Sequence, residues 1–184
     1  LKIGSGGATE KLDVGGNAVI SGELTATSVK HKNDFASFRS NNFVFSASNT
    51  FLNIRYQNTI LNNSLLTAGG TLQDTFTITK AGYYYITSNT PVVHSTYDDR
   101  VCWRIRHLVN GVFSYEYGET FTYTRHDDYG EFGGLTLNSL ILLAVNDTFN
   151  CRIELKKASG NIGSQEMSGT IALGGTIIFQ YLGN

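Results

Sequence analysis

The sequence predicts an all-β protein whose main domain is a sandwich of two sheets. Segments of alternating apolar and polar residues follow one another along most of the chain, bounded by clusters of Asn, Gly and Asp. No stretch shows a sustained 3.6-residue periodicity, so no amphipathic helix is expected. The 184 residues include 20 Gly and 1 Pro, with 12% aromatic and 16% charged residues, which is typical of neither a disordered nor a collagen-like chain.

The first 30 residues form a Gly-rich leader with its own pattern. Over residues 12–28 the even positions are mostly apolar or small and the odd positions mostly polar, which is the period of a strand with one buried face. Gly15-Gly16-Asn17 and Ser21-Gly22 favour turns. Because a lone hairpin is barely stable in water, we expect its apolar stripe to pack against copies from other chains. The sequence thus predicts a short β stalk over residues 1–30 and a head over residues 31–184.

The head is predicted to contain a succession of short strands, and so many strands are expected to pair into two stacked sheets. We expect them at residues 35–46, 51–57, 71–79, 83–89, 101–109, 112–117, 120–125, 134–145, 148–155, 170–173 and 176–182.

The leader resembles a segment that recurs in tail-fibre and adhesin-like proteins of phages and large viruses. The run is Glu10-Lys11-Leu12-Asp13-Val14-Gly15-Gly16-Asn17-Ala18-Val19-Ile20-Ser21-Gly22-Glu23-Leu24-Thr25-Ala26. In those proteins it joins a trimeric shaft to a distal head. A plain Gly-rich linker strand is the alternative interpretation.

The head resembles the C1q and tumour-necrosis-factor-like (TNF-like) jelly roll. Its landmarks follow in order: Phe35-Ala36-Ser37-Phe38-Arg39, Phe76 with Gly82-Tyr83-Tyr84-Tyr85-Ile86, Val109-Asn110-Gly111, Gly134-Leu135-Thr136-Leu137 with Val145-Asn146-Asp147-Thr148-Phe149, and Ile178-Phe179-Gln180-Tyr181-Leu182. Asn146 and Ile86 depart from the usual Gly and Phe. The resemblance implies a homotrimer that binds partners through its surface and has no general catalytic site.

Charge and hydropathy exclude several partners. The net charge is −1, so no global positive field attracts nucleic acid. The longest apolar stretch, residues 140–145, is far shorter than the roughly 20 residues that span a bilayer, so no membrane insertion is expected.

No enzyme or cofactor signature is evident. His31, His94, His107 and His126 lack metal-site spacing, and neither a Gly-x-Ser-x-Gly elbow nor a phosphate-binding Gly-rich loop occurs. We therefore expect a binding module without a cofactor. Two alternatives stay open: carboxylates that could form the pair of a polysaccharide depolymerase, and adjacent Asp residues that could bind calcium. The carboxylates are Glu116, Glu119, Asp127, Asp128 and Glu131.

Two polar segments between strands are the expected receptor-binding sites, because binding residues concentrate in such loops. Each has an aromatic residue at one edge, on which a sugar ring can lie while charged groups bind its hydroxyls. The residues are Tyr97, Asp98, Asp99, Arg100, and Arg125, His126, Asp127, Asp128, Tyr129. The receptor would be a glycan or protein of a host surface.

The trimer interface is expected on a sheet that holds residues 83–89, 148–155 and 176–182. If Tyr84 and Ile86 face the core, alternation turns their neighbours outward. The predicted interface residues are Tyr83, Tyr85, Thr87, Asn150, Arg152, Glu154, Ile178 and Gln180.

Alternation makes two further predictions. Cys102 shares a phase with Arg104 and Arg106 while Cys151 shares one with Phe149 and Ile153, so the two thiols point to opposite faces and do not pair. Odd positions also align an aromatic stripe, for which core or subunit packing is favoured over a carbohydrate platform. The stripe is Phe113, Tyr115, Tyr117, Phe121 and Tyr123.

Together these features predict the receptor-binding head of a trimeric viral, phage-like fibre or spike, exposed on the virion surface. The alternative from another class is a structural trimerisation knob of a bacterial spore or cell-surface filament.

Overall fold

A computed structural model describes residues 34–40, 44–45, 50–62, 64–69, 73–94, 100–125, 131–159, 165–166 and 174–183. The chain divides between Lys32 and Asn33 into two compact units, and the fold described below is that of the second. The predicted stalk over residues 1–30 and the predicted strand at 170–173 lie outside the described residues.

The described residues form fourteen strands, numbered here along the chain. They are β1 (Phe35–Arg39), β2 (Val44–Phe45), β3 (Thr50–Asn53), β4 (Asn58–Asn62), β5 (Leu66–Ala68), β6 (Phe76–Ile78), β7 (Gly82–His94), β8 (Arg100–Val109), β9 (Val112–Phe113), β10 (Glu119–Arg125), β11 (Glu131–Leu143), β12 (Thr148–Ser159), β13 (Gln165–Glu166) and β14 (Thr176–Gly183).

The strands build two antiparallel sheets. In the first sheet β7 pairs with β11 on one side and with β14 on the other, and β14 continues to β1 and β4. The short β13 and β2 extend this sheet beside the end of β7. The second sheet has the order β10-β8-β12-β6-β5, with β3 also on β12 and β9 also on β8. This arrangement confirms the predicted all-β sandwich.

Some element boundaries differ from the sequence predictions. β4 and β5 occupy a region where no strand was expected, because every residue of the edge strand β4 is exposed and its sequence does not alternate. The predicted strand over 112–117 stops at Phe113, and a 3-10 turn, Tyr115–Tyr117, follows it. That turn interrupts the predicted aromatic stripe.

Four phenylalanines pack against one another between the two sheets. Phe38 and Phe179 come from the first sheet, whereas Phe76 and Phe149 come from the second, and all four are fully buried. Their ring centroids lie 4.7 Å apart for Phe38 and Phe76, 5.1 Å for Phe76 and Phe179, and 5.2 Å for Phe149 and Phe179. Tilted and edge-on aromatic contacts of this kind add to the free energy gained by burial.

Hydrogen bonds around the buried side chain of His107 connect three strands to the 3-10 turn. The Ser139 hydroxyl donates to the carbonyl oxygen of Tyr117, so it accepts from Nδ1 of His107 at 2.6 Å. The other ring nitrogen, Nε2, is left to accept from the Ser88 hydroxyl at 2.7 Å. Burial lowers the pKa of His107 from 6.5 to about 3, so the ring is neutral near pH 7 and carries its single proton on Nδ1.

The neutral state of His107 predicts sensitivity to acid. The unfolded chain binds a proton at His107 near pH 6.5, whereas the folded protein binds it only near pH 3. Between pH 6.5 and pH 3 the unfolded chain holds a proton at His107 that the folded protein does not hold. Each unit by which the pH falls in this range therefore reduces the free energy of unfolding by at most about 1.4 kcal/mol. Denaturant unfolding followed by Trp103 fluorescence should show this loss, and His107→Gln, which cannot titrate, should lose less. Equal losses in both proteins would assign the pH dependence to other groups.

The two cysteines are free and occupy opposite faces, as the alternation predicts. Cys151 is fully buried, and burial raises the pKa of its thiol to about 11. Cys102 is partly exposed on the outward side of β8. A thiol reagent should therefore modify Cys102 in the native protein and both cysteines after unfolding without reductant. Unfolded, unreduced monomer with no free thiol would contradict the structure.

Candidate functional site

The outward side of the first sheet carries a cluster of exposed apolar side chains. Tyr83 lies directly opposite Leu142 on β11, and Tyr85 lies opposite Leu140. Residues opposed across an antiparallel pair project to the same face, so they form adjacent rows. Tyr83, Tyr85 and Leu142 are 45%, 40% and 63% exposed. We name as the apolar face Tyr83, Tyr85, Leu140, Leu142, Ile178 and Leu182.

Polar groups lie beside this cluster. Thr87 is opposed by Ile178 on one side and by Asn138 on the other, and its hydroxyl donates to the Asn138 side-chain oxygen at 2.9 Å. Gln180 lies opposite Tyr85. An apolar centre with a polar margin is the composition of a surface that packs against another protein surface.

Five predicted interface residues therefore share this side of the first sheet. They are Tyr83, Tyr85, Thr87, Ile178 and Gln180. The inward neighbours Tyr84 and Ile86 are fully buried, as the alternation requires. Sequence reasoning missed Leu140 and Leu142, although the continuous apolar run over residues 140–143 could have indicated a strand that is apolar on both faces.

The prediction that residues 148–155 join the same sheet is wrong. The strand β12 pairs with β8, β6 and β3 in the second sheet. Alternation identifies which side of a strand faces inward, but it does not identify the sheet to which the strand belongs. Asn150, Arg152 and Glu154 therefore lie on the opposite side of the sandwich from the apolar face.

Two of these three side chains are already buried by contacts within the chain. The Asn150 amide donates to the Asp74 carbonyl oxygen and to the Thr75 hydroxyl, both at 2.8 Å. Glu154 accepts hydrogen bonds from the Arg104 guanidinium. Neither side chain is free for the subunit contact that was predicted for it.

The outward side of the second sheet is ionic and aromatic. Glu119 accepts from Nε of Arg106 at 2.8 Å and lies 3.6 Å from a terminal nitrogen of Arg104. The Arg106 guanidinium also lies 4.2 Å from the centre of the Phe113 ring. Phe121 and Tyr123 extend from the same side of β10 into solvent. Core packing within one chain is therefore wrong for these two residues, whereas the subunit packing expected as its alternative stays a prediction.

The strand residues that adjoin the two predicted receptor-binding segments are paired with each other. Arg100 begins β8 and Arg125 ends β10, and these two residues are directly paired across the strands. The remaining predicted residues lie outside the described part of the chain, namely Tyr97, Asp98, Asp99, His126, Asp127, Asp128 and Tyr129. The flanking residues on the first sheet, His94 of β7 and Glu131 of β11, are also directly paired, so the two segments start and end side by side on both sheets.

The described residues bear on the metal-ion and glycoside-hydrolysis alternatives only in part. No group of three or more His, Cys, Asp or Glu side chains among them is arranged to hold a metal ion. The Asp pairs considered for calcium lie outside the described part of the chain. Of the carboxylates considered for glycoside hydrolysis, Glu119 is bound to two arginines. No helix among the described residues is long and apolar enough to cross a membrane.

Comparison with known proteins identifies the fold. No protein-family model matches the chain, and no curated protein matches it. The crystal structure of murine APRIL at pH 5.0 is similar with a TM-score of 0.51 and 13% identity, over 82% of this chain and all of that one. The murine APRIL structure at pH 8.5 gives a TM-score of 0.48 and 14% identity over the same shares. The likeness to the pH 5.0 structure shows that the head has a TNF-like jelly-roll fold.

Proposed function

We propose that the head assembles into a homotrimer through the apolar face and is the receptor-binding head of a viral, phage-like fibre or spike on the virion surface. The observation that carries the proposal is the apolar face itself. The inner side of that sheet is filled by the core, and Tyr83, Tyr85, Leu140 and Leu142 stay exposed among the described residues, which supports another molecule as their cover. Clusters of exposed apolar side chains of this kind mark interaction sites.

A second copy of the chain is the simplest partner for this surface. Tyrosine suits such an interface because its ring buries apolar area while its hydroxyl keeps a hydrogen-bond partner. The resemblance to the C1q and TNF-like family favours three copies around a closed axis. In this arrangement the contact on each copy is satisfied and no apolar edge is left open.

Receptor binding is assigned to the side that such assembly leaves accessible. Each polar segment connects the two sheets, one from β7 to β8 and the other from β10 to β11. The segments adjoin the His94 end of β7 and the Glu131 end of β11, whereas the apolar face lies toward the opposite ends of these two strands. Three copies of a weak site raise the apparent affinity by roughly 10²–10⁴ when the geometry allows simultaneous contact. The head therefore acts as a multivalent binding module for a host-surface glycan or protein and not as an enzyme.

Charges placed in the apolar face should prevent assembly. We expect Tyr83→Glu/Tyr85→Glu to sediment as monomer or aggregate, because an interface cannot bury unpaired carboxylates without a large desolvation cost. The matched control is Tyr115→Glu/Tyr123→Glu, which changes two tyrosines that are 80% and 63% exposed outside the first sheet. The control should sediment as the wild type does.

An intact trimer in the Tyr83→Glu/Tyr85→Glu variant would move the interface to another surface. Dissociation of the control as well would show that exposed glutamates have a general effect.

Alanine substitutions in the two polar segments should abolish attachment to host cells without affecting the fold. We expect substitution of Tyr97, Asp99, Arg125 and Tyr129 by Ala to eliminate adsorption to host cells, with the sedimentation and melting temperature nearly unchanged. Adsorption at the wild-type level would place the receptor site elsewhere. Wild-type trimer that adsorbs to no cell would favour the structural knob, and release of sugars from host polysaccharide would favour the depolymerase.

A further inference from the structure

Two cross-strand rows on the outward side of the second sheet bring arginines, glutamates and aromatic rings together. Each row crosses the strands in the order β10, β8, β12 and β3. We name these eight residues the ionic face: Phe121, Arg104, Glu154 and Phe51 in the first row, and Glu119, Arg106, Arg152 and Asn53 in the second.

The second row contains two like charges in direct opposition. Arg106 on β8 is paired with Arg152 on β12. Directly opposed like charges destabilise an antiparallel pair unless another group neutralises them. Glu119 neutralises Arg106, and Glu154 is occupied by Arg104. Arg152 reaches only the Asn53 side-chain oxygen, at 3.4 Å, and has no carboxylate partner among the described residues.

The three arginines and two glutamates of the ionic face leave one unbalanced positive charge, which an anion bound at Arg152 would neutralise. A guanidinium binds a carboxylate through two parallel hydrogen bonds, which gives both affinity and a defined orientation. The net charge of the whole chain is −1, so attraction for an anion arises from this local row and not from a general positive field.

The aromatic side chain of Phe51 is a diagonal neighbour of Arg152. Phe51 is 48% exposed and lies opposite Glu154, which is two residues along β12 from Arg152. This diagonal relation corresponds to about 7–8 Å between the backbones, within reach of long side chains. Phe121 is 66% exposed and lies at the other end of the first row. Three strand spacings separate it from Phe51, which corresponds to roughly 14 Å between the two backbones.

The groups between the two rings are held in place. Arg104 is fixed by Glu154 and Glu119, and Arg106 by Glu119 and the Phe113 ring. Fixed donors and acceptors lose little conformational freedom when a ligand binds. They provide polar partners in the space that separates two exposed apolar rings.

We propose that the ionic face binds an acidic saccharide, with the ligand carboxylate on Arg152 and a sugar ring on Phe51. A pyranose ring has an apolar face of C–H groups that packs on an aromatic ring, while its hydroxyls bind side chains such as Asn53 and Arg104. The inference rests on the proposed attachment function and gives the receptor a chemical class. It places that contact on the sheet itself, beside the strands that flank the two polar segments.

Calorimetric titration of the full chain with three probes tests the proposal. The probes are 3′-sialyllactose, which carries a carboxylate, lactose, which is its neutral core, and sodium acetate, which is the anion alone. We expect 3′-sialyllactose to bind measurably more tightly than either of the others. Arg152→Gln should weaken this binding by about tenfold to a hundredfold, the range for hydrogen bonds to charged groups. Phe51→Ala should weaken it also.

Arg39→Gln is the matched control, because Arg39 is exposed on the first sheet. It should bind 3′-sialyllactose as the wild type does. Absence of binding by the wild type at millimolar probe, equal binding of acetate, or equal loss in the Arg39 variant would each overturn the proposal. Host adsorption that is lost in Arg152→Gln without any saccharide binding would overturn it in favour of a protein receptor. Sedimentation and adsorption of the polar-segment variant report separately on the proposed function.

A measurement without ligand tests the premise. Salt screens exposed charges over about 10 Å at 0.1 M, so it should weaken the repulsion that the unbalanced charge of Arg152 feels from the neighbouring arginines. We expect added NaCl to raise the melting temperature of the wild type more than that of Arg152→Gln. Equal salt responses would show that Arg152 is already neutralised and would overturn the proposal.

Discussion

The surface chemistry of this sandwich depends on the packing of four phenylalanines between its sheets. Phe38, Phe76, Phe149 and Phe179 lie in contact and exclude water from the centre of the head. Because neighbouring residues of a strand project to opposite sides, fixing an inward side chain also fixes its outward neighbours. The position of Phe179, for example, turns Ile178 and Gln180 outward. The core therefore determines which residues any partner can meet.

The two outward surfaces produced in this way differ in chemistry. The apolar face presents tyrosine and leucine, which gain free energy when another surface removes them from water. The ionic face presents linked arginines and glutamates, whose burial would cost free energy unless every charge stayed paired. This difference supports the proposals that the first sheet mediates self-association and that the second sheet binds a polar ligand from solvent.

The sequence predicted local features better than long-range ones. Alternation placed Tyr84, Ile86, Trp103 and Cys151 in the core, since each of these decisions depends only on neighbours in the same strand. The assignment of β12 to a sheet depends on its pairing with β8. The paired residues are 40 to 59 positions apart in sequence, and the alternation within one strand does not indicate such a pairing. Arg152 and Glu154 were assigned to the wrong surface for this reason.

The aromatic stripe departs from the prediction at one turn. Ser114 caps the 3-10 turn by accepting from the Glu116 backbone, and Gly118 ends it with a φ of 89°. The turn directs Tyr117 against the core, whereas Phe113, Phe121 and Tyr123 keep the same phase on the outward side of the second sheet. The sequence signal for this turn was a serine, Ser114, before the three residues 115–117 and a glycine, Gly118, after them.

The central claim is that copies of this chain cover the apolar face of one another. The most direct test is the mass of the wild-type protein by sedimentation equilibrium over a dilution series at neutral pH. The account predicts a species of three times the 20.2 kDa chain mass that persists on dilution. A stable, soluble monomer of 20.2 kDa throughout the series would contradict it.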